Sequence, residues 1–381
     1  MLLTRIFKNF IKVEKTGSLL LVAAFITSFV IANSNFAGKF NQILEFHFFH
    51  LSVKDWINEG LMTLFFLQVG LEIKRELVEG ELKDLKVAGL PIFGAIGGML
   101  VPALIYYTFT FNTHYTKGFG IPMATDIALS LAIISLMGNK IPASLKLFLA
   151  ALAIIDDLGA IVIIAFFYTN QFQLTYLVIL FLLLIIIAII SYKKVTYIPI
   201  YILFLIVLWI ILYNAGFHPS IAGAIIAISI PFKEFNNEER VLFPMHKFVT
   251  YGIVPIFILV NALIDVRNVI FDNFLNNYTL GIFFGLTLGK PLGILLFCWL
   301  SIKLKFAKLA LELNYRLLLG AGIFAGIGFT MSIFVALLSF SKTDELNQAK
   351  LIITIAGFTS AIGGIIYFKL VPNKIDKLKT I

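Results

Sequence analysis

Twelve apolar runs follow one another along the chain, at about 13–33, 57–73, 87–110, 119–137, 144–168, 174–192, 197–213, 217–231, 244–264, 278–301, 315–340 and 349–370. About 20 helical residues, rising about 1.5 Å each, cross the ~30 Å hydrocarbon core of a bilayer. An open sheet edge cannot face lipid, so the pattern predicts an all-α polytopic membrane protein of twelve transmembrane helices. Residues 17–31 stand behind Arg5, Lys8, Lys12 and Lys15 with no small-x-small site after them, which reads as a retained first helix and not a cleaved signal. Between the first two runs, about 35–55, the segment Ile43-Leu44-Glu45-Phe46-His47-Phe48-Phe49-His50-Leu51 partly alternates polar and apolar positions. It predicts a short extracellular hairpin. His47 and His50 are three apart, but their aromatic neighbours favour interfacial packing over a metal site.

Two runs carry the marks of a break. Gly118, Gly120 and Pro122 interrupt span 4, and Gly320, Gly322, Gly326 and Gly328 interrupt span 11. Gly120-Ile121-Pro122-Met123-Ala124-Thr125-Asp126-Ile127 also resembles Gly326-Ile327-Gly328-Phe329-Thr330-Met331-Ser332-Ile333 at an offset of 206, and Gly89-Leu90-Pro91 resembles Gly289-Lys290-Pro291 at 200. Spans 3 and 10 start on opposite sides, so spans 3–5 (87–168) and 10–12 (278–370) read as inverted repeats, although spans 5 and 12 show no convincing match. Spans 4 and 11 would be broken at the midplane. Non-helical backbone at that depth survives only when buried in protein or lining a watery cavity. Paired interrupted spans in corresponding repeat positions point to a transporter site. The whole of 1–381 reads as one membrane domain.

Composition agrees: 60% of residues are hydrophobic and 13% charged, against about 25% charged in soluble domains. The single cysteine, Cys298, excludes a disulfide framework and a cysteine-rich metal site. The net charge of +9 is a topology signal. Of 30 basic residues, Lys39, Lys54, Lys117, Arg267, Lys342 and Lys350 fall on one side, Lys290 lies within a span, and the other 23 share the side of the N-terminus. Both termini are therefore expected in the cytoplasm, and nucleic-acid binding loses its support.

The chemistry concentrates on a few intramembrane charges. Asp156 and Asp157 stand together in the middle of span 5, where each acid costs about 2.5–3.5 kcal/mol to insert. Successive helical residues point about 100° apart, so the two acids take different roles. One can face a cation while the other faces Lys290, since a buried pair costs far less than a lone charge. Asp126, beside Thr125 at the break of span 4, adds a third acid. Oxygen ligands without Cys or His suit Na⁺ or Li⁺ better than a transition metal. At the cytoplasmic end of span 2, Glu72, Arg75 and Glu76 share a helix face, with Glu239 and Arg240 on the same side of the membrane. They read as an interfacial ion-pair network or as a funnel that attracts cations and senses pH. His218 reads as a packing residue, with a pH-dependent role as the alternative.

At these residues the sequence resembles the NhaA-type sodium/proton antiporters. The resemblance rests on Phe65-Phe66-Leu67-Gln68-Val69-Gly70-Leu71-Glu72-Ile73-Lys74-Arg75-Glu76-Leu77, Pro122-Met123-Ala124-Thr125-Asp126-Ile127-Ala128, residues 151–159, Gly289-Lys290-Pro291-Leu292-Gly293 and residues 326–333. It implies twelve helices with spans 4 and 11 unwound and crossing. It implies that Asp126 and Asp157 hold Na⁺ or H⁺ beside Thr125, and that Asp156 pairs with Lys290. It further implies an inner-membrane protein, a homodimer through the hairpin near 43–54, and export of Na⁺ or Li⁺ for more than one proton, with no cofactor and no enzymatic reaction. Where the family can carry histidines in Glu-x-x-x-x-Pro, this chain has Glu239-Arg240-Val241-Leu242-Phe243-Pro244 and then His246, which bears on pH activation. An intramembrane aspartyl protease would need Gly-x-Gly-Asp, which is absent. A sodium-coupled solute symporter on the same plan is the alternative reading. It would need more core polar groups than Thr330, Ser332 and Asn261.

Overall fold

Helices form wherever an apolar run can close its own backbone hydrogen bonds, and they stop at glycine, proline or a capping side chain. The computed structural model describes residues 2–80, 85–138, 141–169, 173–231, 242–265, 275–309 and 312–370, the side chains of 2–12 and 85–87 excepted. In order these are α1 (Leu2–Ala32), α2 (Ala37–Leu44), β1 (His47–Phe48), β2 (Leu51–Ser52), α3 (Val53–Asp55), a π-turn Trp56–Leu61, α4 (Met62–Val78), α5 (Leu85–Thr110), a 3₁₀-helix His114–Met123, α6 (Ile127–Leu136), α7 (Ala143–Phe167), α8 (Leu174–Tyr192), α9 (Ile198–Ala215), α10 (Ile221–Ser229) and α11 (Phe243–Phe248). A π-turn Val249–Ile253, α12 (Val254–Asn261), α13 (Asn277–Phe284), a π-turn Gly285–Gly289, α14 (Lys290–Lys303), α15 (Tyr315–Ala325), α16 (Phe329–Ser339) and α17 (Thr343–Leu370) complete the order.

Among the described residues, nine stretches are long and apolar enough to cross a membrane, or ten if the bent pair α15–α16 counts as one. The predicted runs 57–73 and 217–231 make up the difference from twelve. The first lies in a stretch that is helical without a gap from Val53 to Val78, kept from the count by its polar residues, among them Asn58, Glu59, Gln68 and Glu72; the second yields α10, whose nine residues are too few for a straight crossing. The break predicted in span 4 is wider than the glycines suggested: its first half is 3₁₀-helix throughout, and helix resumes only at Ile127. Span 11 bends by 51° between α15 and α16. The charge count put Lys350 in an outer loop, but α17 already starts at Thr343 and buries it. Asp344 and Glu345 in its first turn favour that earlier start by facing the positive end of the helix dipole.

The residues group into two compact units. The first comprises Met1–Ser18, Asp84–Asp156 and Val269–Ile381. Its spine is α5 packed on α14. A Cβ on Gly97 would run into the Gly293 carbonyl oxygen, and a Cβ on Gly293 into that of Gly97. The two backbones therefore touch, which fixes the height of Lys290 at the start of α14.

The second unit comprises Leu19–Lys83 and Asp157–Asn268. The hairpin segment forms an antiparallel pair, His47 opposite Ser52 and Phe48 opposite Leu51. Its turn residues Phe49 and His50 both adopt positive φ, 51° and 68°, the twist that two-residue hairpins need. The Trp56 indole donates to the Phe48 carbonyl at 2.9 Å and stacks on Trp209. Helix α4 packs on α10 through Gly70 against Ala227 and Gly223 against the Thr63 carbonyl. The Lys74 amine then caps α10 by donating to the Ile228 and Ile230 carbonyls. Overpacking a tight crossing costs about 1–3 kcal/mol, occasionally more. Gly223→Leu is accordingly expected to lower the melting temperature in detergent, while Gly38→Ala, whose Cβ meets nothing within 4 Å, leaves it unchanged.

Candidate functional site

The two broken segments of the first unit satisfy each other's backbone. The Asp126 N–H donates to the Ile327 carbonyl at 2.7 Å. The Ser332 hydroxyl, 206 residues after Asp126, donates to the Ile121 carbonyl at 2.8 Å, and Ile121 precedes Ile327 by the same 206. Ser130 adds a bond to the Phe324 carbonyl at 2.8 Å. Backbone groups freed by unwinding thus find partners within protein, the condition for irregular chain inside an apolar layer.

That arrangement sets Asp126 at the N-cap of α6. Its Oδ1 accepts from the Leu129 N–H at 3.0 Å. Its Oδ2 accepts from the Thr330 hydroxyl at 2.6 Å and the Thr330 N–H at 3.2 Å. The side chain is buried, with 2% of its surface exposed. Asp126 is therefore both a helix cap and a carboxylate ringed by donors. Thr330 was legible as a polar residue of the core and as the repeat counterpart of Ala124, neither of which tied it to Asp126.

One residue earlier, Thr125 faces the ion pair. The Lys290 amine lies 2.5 Å from Asp156 Oδ2 and donates to Thr125 Oγ1 at 2.7 Å. Thr125 Oγ1 in turn lies 2.8 Å from Asp156 Oδ2 and 3.1 Å from the Ala325 carbonyl. Lys290 is fully buried and directly follows the π-turn Gly285–Gly289. Pro291 removes a backbone donor inside the continuous helical stretch Asn277–Lys303, and the π-turn falls just before it. Asp156 Oδ1 is buried with no hydrogen-bond donor among the described residues. Leaving such an acceptor unmatched costs about 1–3 kcal/mol, which a proton or a cation would offset.

The first unit thus brings together Thr125, Asp126, Asp156 and Lys290. Asp157 is the next residue of α7, also buried, and the boundary between the units falls between the two acids. Among the described residues no three of His, Cys, Asp and Glu converge as a metal site. The oxygens gathered here belong to carboxylate, hydroxyl and carbonyl groups, the ligand type that suits hard cations.

The second predicted cluster divides. Arg75 pairs with its neighbour Glu76 at 2.5 Å, while Glu72 turns inward to Gln68 and to His246 of α11. His218 sits in the turn before α10 with its Nδ1 2.7 Å from the Ser220 hydroxyl. Glu239 and Arg240 lie outside the described residues. Gln68 went unmarked as a site residue, because a glutamine in an apolar run carries no spacing signal, and His246 was noted only for following Glu239 and Pro244.

Known sequences and structures bear on the whole chain. The family model described as Na+/H+ antiporter 1 matches residues 8–368. A protein of Flavobacterium psychrophilum named Na(+)/H(+) antiporter NhaA is 44% identical over 378 residues, with 97% of each chain covered. Proteins of the same name from Aliivibrio salmonicida and Vibrio cholerae are each 41% identical, with 94% or more of each chain covered. The solved sodium proton antiporter MjNhaP1 of Methanocaldococcus jannaschii shares the fold at a TM-score of 0.56 and 15% identity, over 97% of this chain and 99% of that one.

Proposed function

We propose, from the premise that this chain belongs to the Na+/H+ antiporter 1 family, that it is a membrane antiporter exchanging Na⁺ for H⁺ at the carboxylates of spans 4 and 5. The observation that carries the site is the Lys290–Asp156–Thr125 cluster set one residue from Asp126, where two interrupted helices meet. The solute-symporter alternative has no support, since the relatives at 40–44% identity are named Na(+)/H(+) antiporters.

Exchange follows from competition. Na⁺ reaching Asp126 and Asp157 from the cytoplasm displaces their protons, and Li⁺ fits the same oxygen donors. A conformational change then opens the site outward, where protons displace the ion. Two carboxylates that bind more than one proton for each sodium make the cycle electrogenic. The membrane potential then contributes about 2.3 kcal/mol per net charge per 100 mV to sodium export. Thr125 and Lys290 hold Asp156 in place throughout, and the amine is available to release a proton when a cation enters.

The architecture fits this cycle as twelve spans, the unbroken helical stretch Val53–Val78 being one and α10 a short crossing. Inverted repeats 87–168 and 278–370 are supported by the reciprocal Asp126–Ile327 and Ser332–Ile121 bonds. The excess of basic residues on one side supports an inner-membrane protein with cytoplasmic termini. The exposed aromatic hairpin near 43–54 supports a homodimer. Glu72, Arg75, Glu76, Glu239 and His218 are the groups through which pH would set activity.

Proteoliposomes holding the purified protein, with a pH dye inside, test the activity. Adding Na⁺ outside should alkalinise the lumen with no other solute present, and valinomycin with K⁺ should accelerate the exchange if it carries net charge. A Na⁺ pulse that moves no protons at any pH would refute antiport.

A further inference from the structure

Within the first unit, the break of span 11 and the π-turn Gly285–Gly289 meet at Gly326, which ends α15. A Cβ on Gly326 would run into the Leu286 carbonyl oxygen and come within 2.7 Å of Ser360 Oγ. Both oxygens lack the partner that a helix ordinarily supplies. The residue four after Leu286 is Lys290, whose N–H donates instead to Gly285, five residues back. The residue five after it is Pro291, which has no N–H. The Leu286 carbonyl therefore loses both donors that an α- or a π-register would bring to it. Ser360 is buried in α17, and its Oγ has no hydrogen-bond partner among the described residues. Other hydroxyls of that helix behave differently. Thr354 and Thr359 donate to the carbonyls four residues back, those of Lys350 and Ile355, each at 2.8 Å. A helical serine can make the same local bond, but Ser360 is turned toward Gly326 instead. A donor and an acceptor without partners thus face one glycine from two elements, with α17 packed on the π-turn. Unmatched polar groups are unfavourable in a buried place, which points to a bond made in another state of the protein.

We propose that Ser360 is a positioning residue of the exchange cycle: its hydroxyl bonds the Leu286 carbonyl when the break at Gly326 shifts, and lets go when the break returns. This rests on the antiporter reading, because it names what steadies the moving segment of that cycle. The place matters for the ion site on two sides. Ile327, next to Gly326, accepts from the Asp126 N–H. Lys290 directly follows the π-turn that holds Leu286. A shift of Gly326 against Leu286 is therefore transmitted toward Asp126 through one element and toward Lys290 through the other. A bond from Ser360 holds the π-turn, and Lys290 with it, while the break moves. Two residue choices keep that bond accessible. Glycine at 326 leaves no Cβ between the hydroxyl and the carbonyl. Proline at 291 keeps the carbonyl from being satisfied within its own helix.

Melting in detergent and sodium-driven proton flux in proteoliposomes, measured on the same preparations, test this. Ser360→Ala removes a hydroxyl that is unmatched in this state, so it should melt at or above wild type, yet turn over about 5-fold more slowly or worse. A serine with a purely structural role would lower both readouts together. Pro291→Ala returns an N–H to the Leu286 carbonyl and should also slow turnover. The double variant should then be no slower than the slower single one, because both changes remove the same bond. Thr359→Val, whose hydroxyl only closes on its own helix, should keep the wild-type flux. A Ser360→Ala protein that melts below wild type, or that turns over at the wild-type rate, would overturn the proposal. So would single effects that multiply in the double variant, or a Thr359→Val protein as slow as Ser360→Ala. The antiporter reading fails separately, if the wild-type protein moves no protons on a Na⁺ pulse, and the melting comparison does not depend on it.

Discussion

Lys290→Ala is expected to destabilise the protein by about 3–5 kcal/mol, the scale for removing one partner of a buried ion pair. Lys290 and Asp156 are both inaccessible at their charged ends. Without the amine, Asp156 Oδ2 keeps only the Thr125 hydroxyl, and Oδ1 already has no donor. The double variant Asp156→Asn/Lys290→Met should recover most of the loss, because the desolvation cost of both ions disappears together. Melting of the detergent-solubilised protein, followed by size-exclusion chromatography after heating, measures both. The single-variant defect should shrink in acid, where a proton can neutralise Asp156 in place of the amine. A Lys290→Ala protein that melts with wild type across the pH range would mean that the pair contributes no stability.

That ion pair was legible because a lone lysine in an apolar span must have a partner and only two nearby spans offered acids. The breaks in spans 4 and 11 were legible through Pro122 and the glycine runs. Their mutual satisfaction was not, because it depends on which carbonyl a serine 200 residues away can reach. Ser130, Ser332 and Thr330 look like ordinary small polar residues until the two breaks are brought together. Helix length was also out of reach of hydropathy: run 217–231 looks like its neighbours, yet it yields only the nine-residue α10. His246 was legible as the histidine that follows Glu239 and Pro244, but its contact with Gln68, across 178 residues, was not.

Asp126→Asn is expected to leave the fold intact and to reduce sodium-driven proton flux by about 100-fold or more, the scale of losing a proton-transfer group. The substitution separates the two things this side chain does. Asparagine is as good an N-cap as aspartate, so its amide oxygen can still accept from the Leu129 N–H and keep α6 in place. What disappears is the charge that a sodium ion needs and the carboxyl that a proton needs. Asp157→Asn should have an equal effect on flux without touching any cap, since it lies mid-helix in α7. Thr330→Val removes only one donor to Asp126 Oδ2 and leaves the Thr330 backbone bond. It should raise the apparent sodium KM by about 10-fold or more, following from the ~1.5–3 kcal/mol of one hydrogen bond to a charge. If Asp126 served only to start α6, the asparagine variant would exchange sodium for protons at the wild-type rate. Its melting curve and its flux, measured on the same preparation, separate that outcome from loss of the ion site.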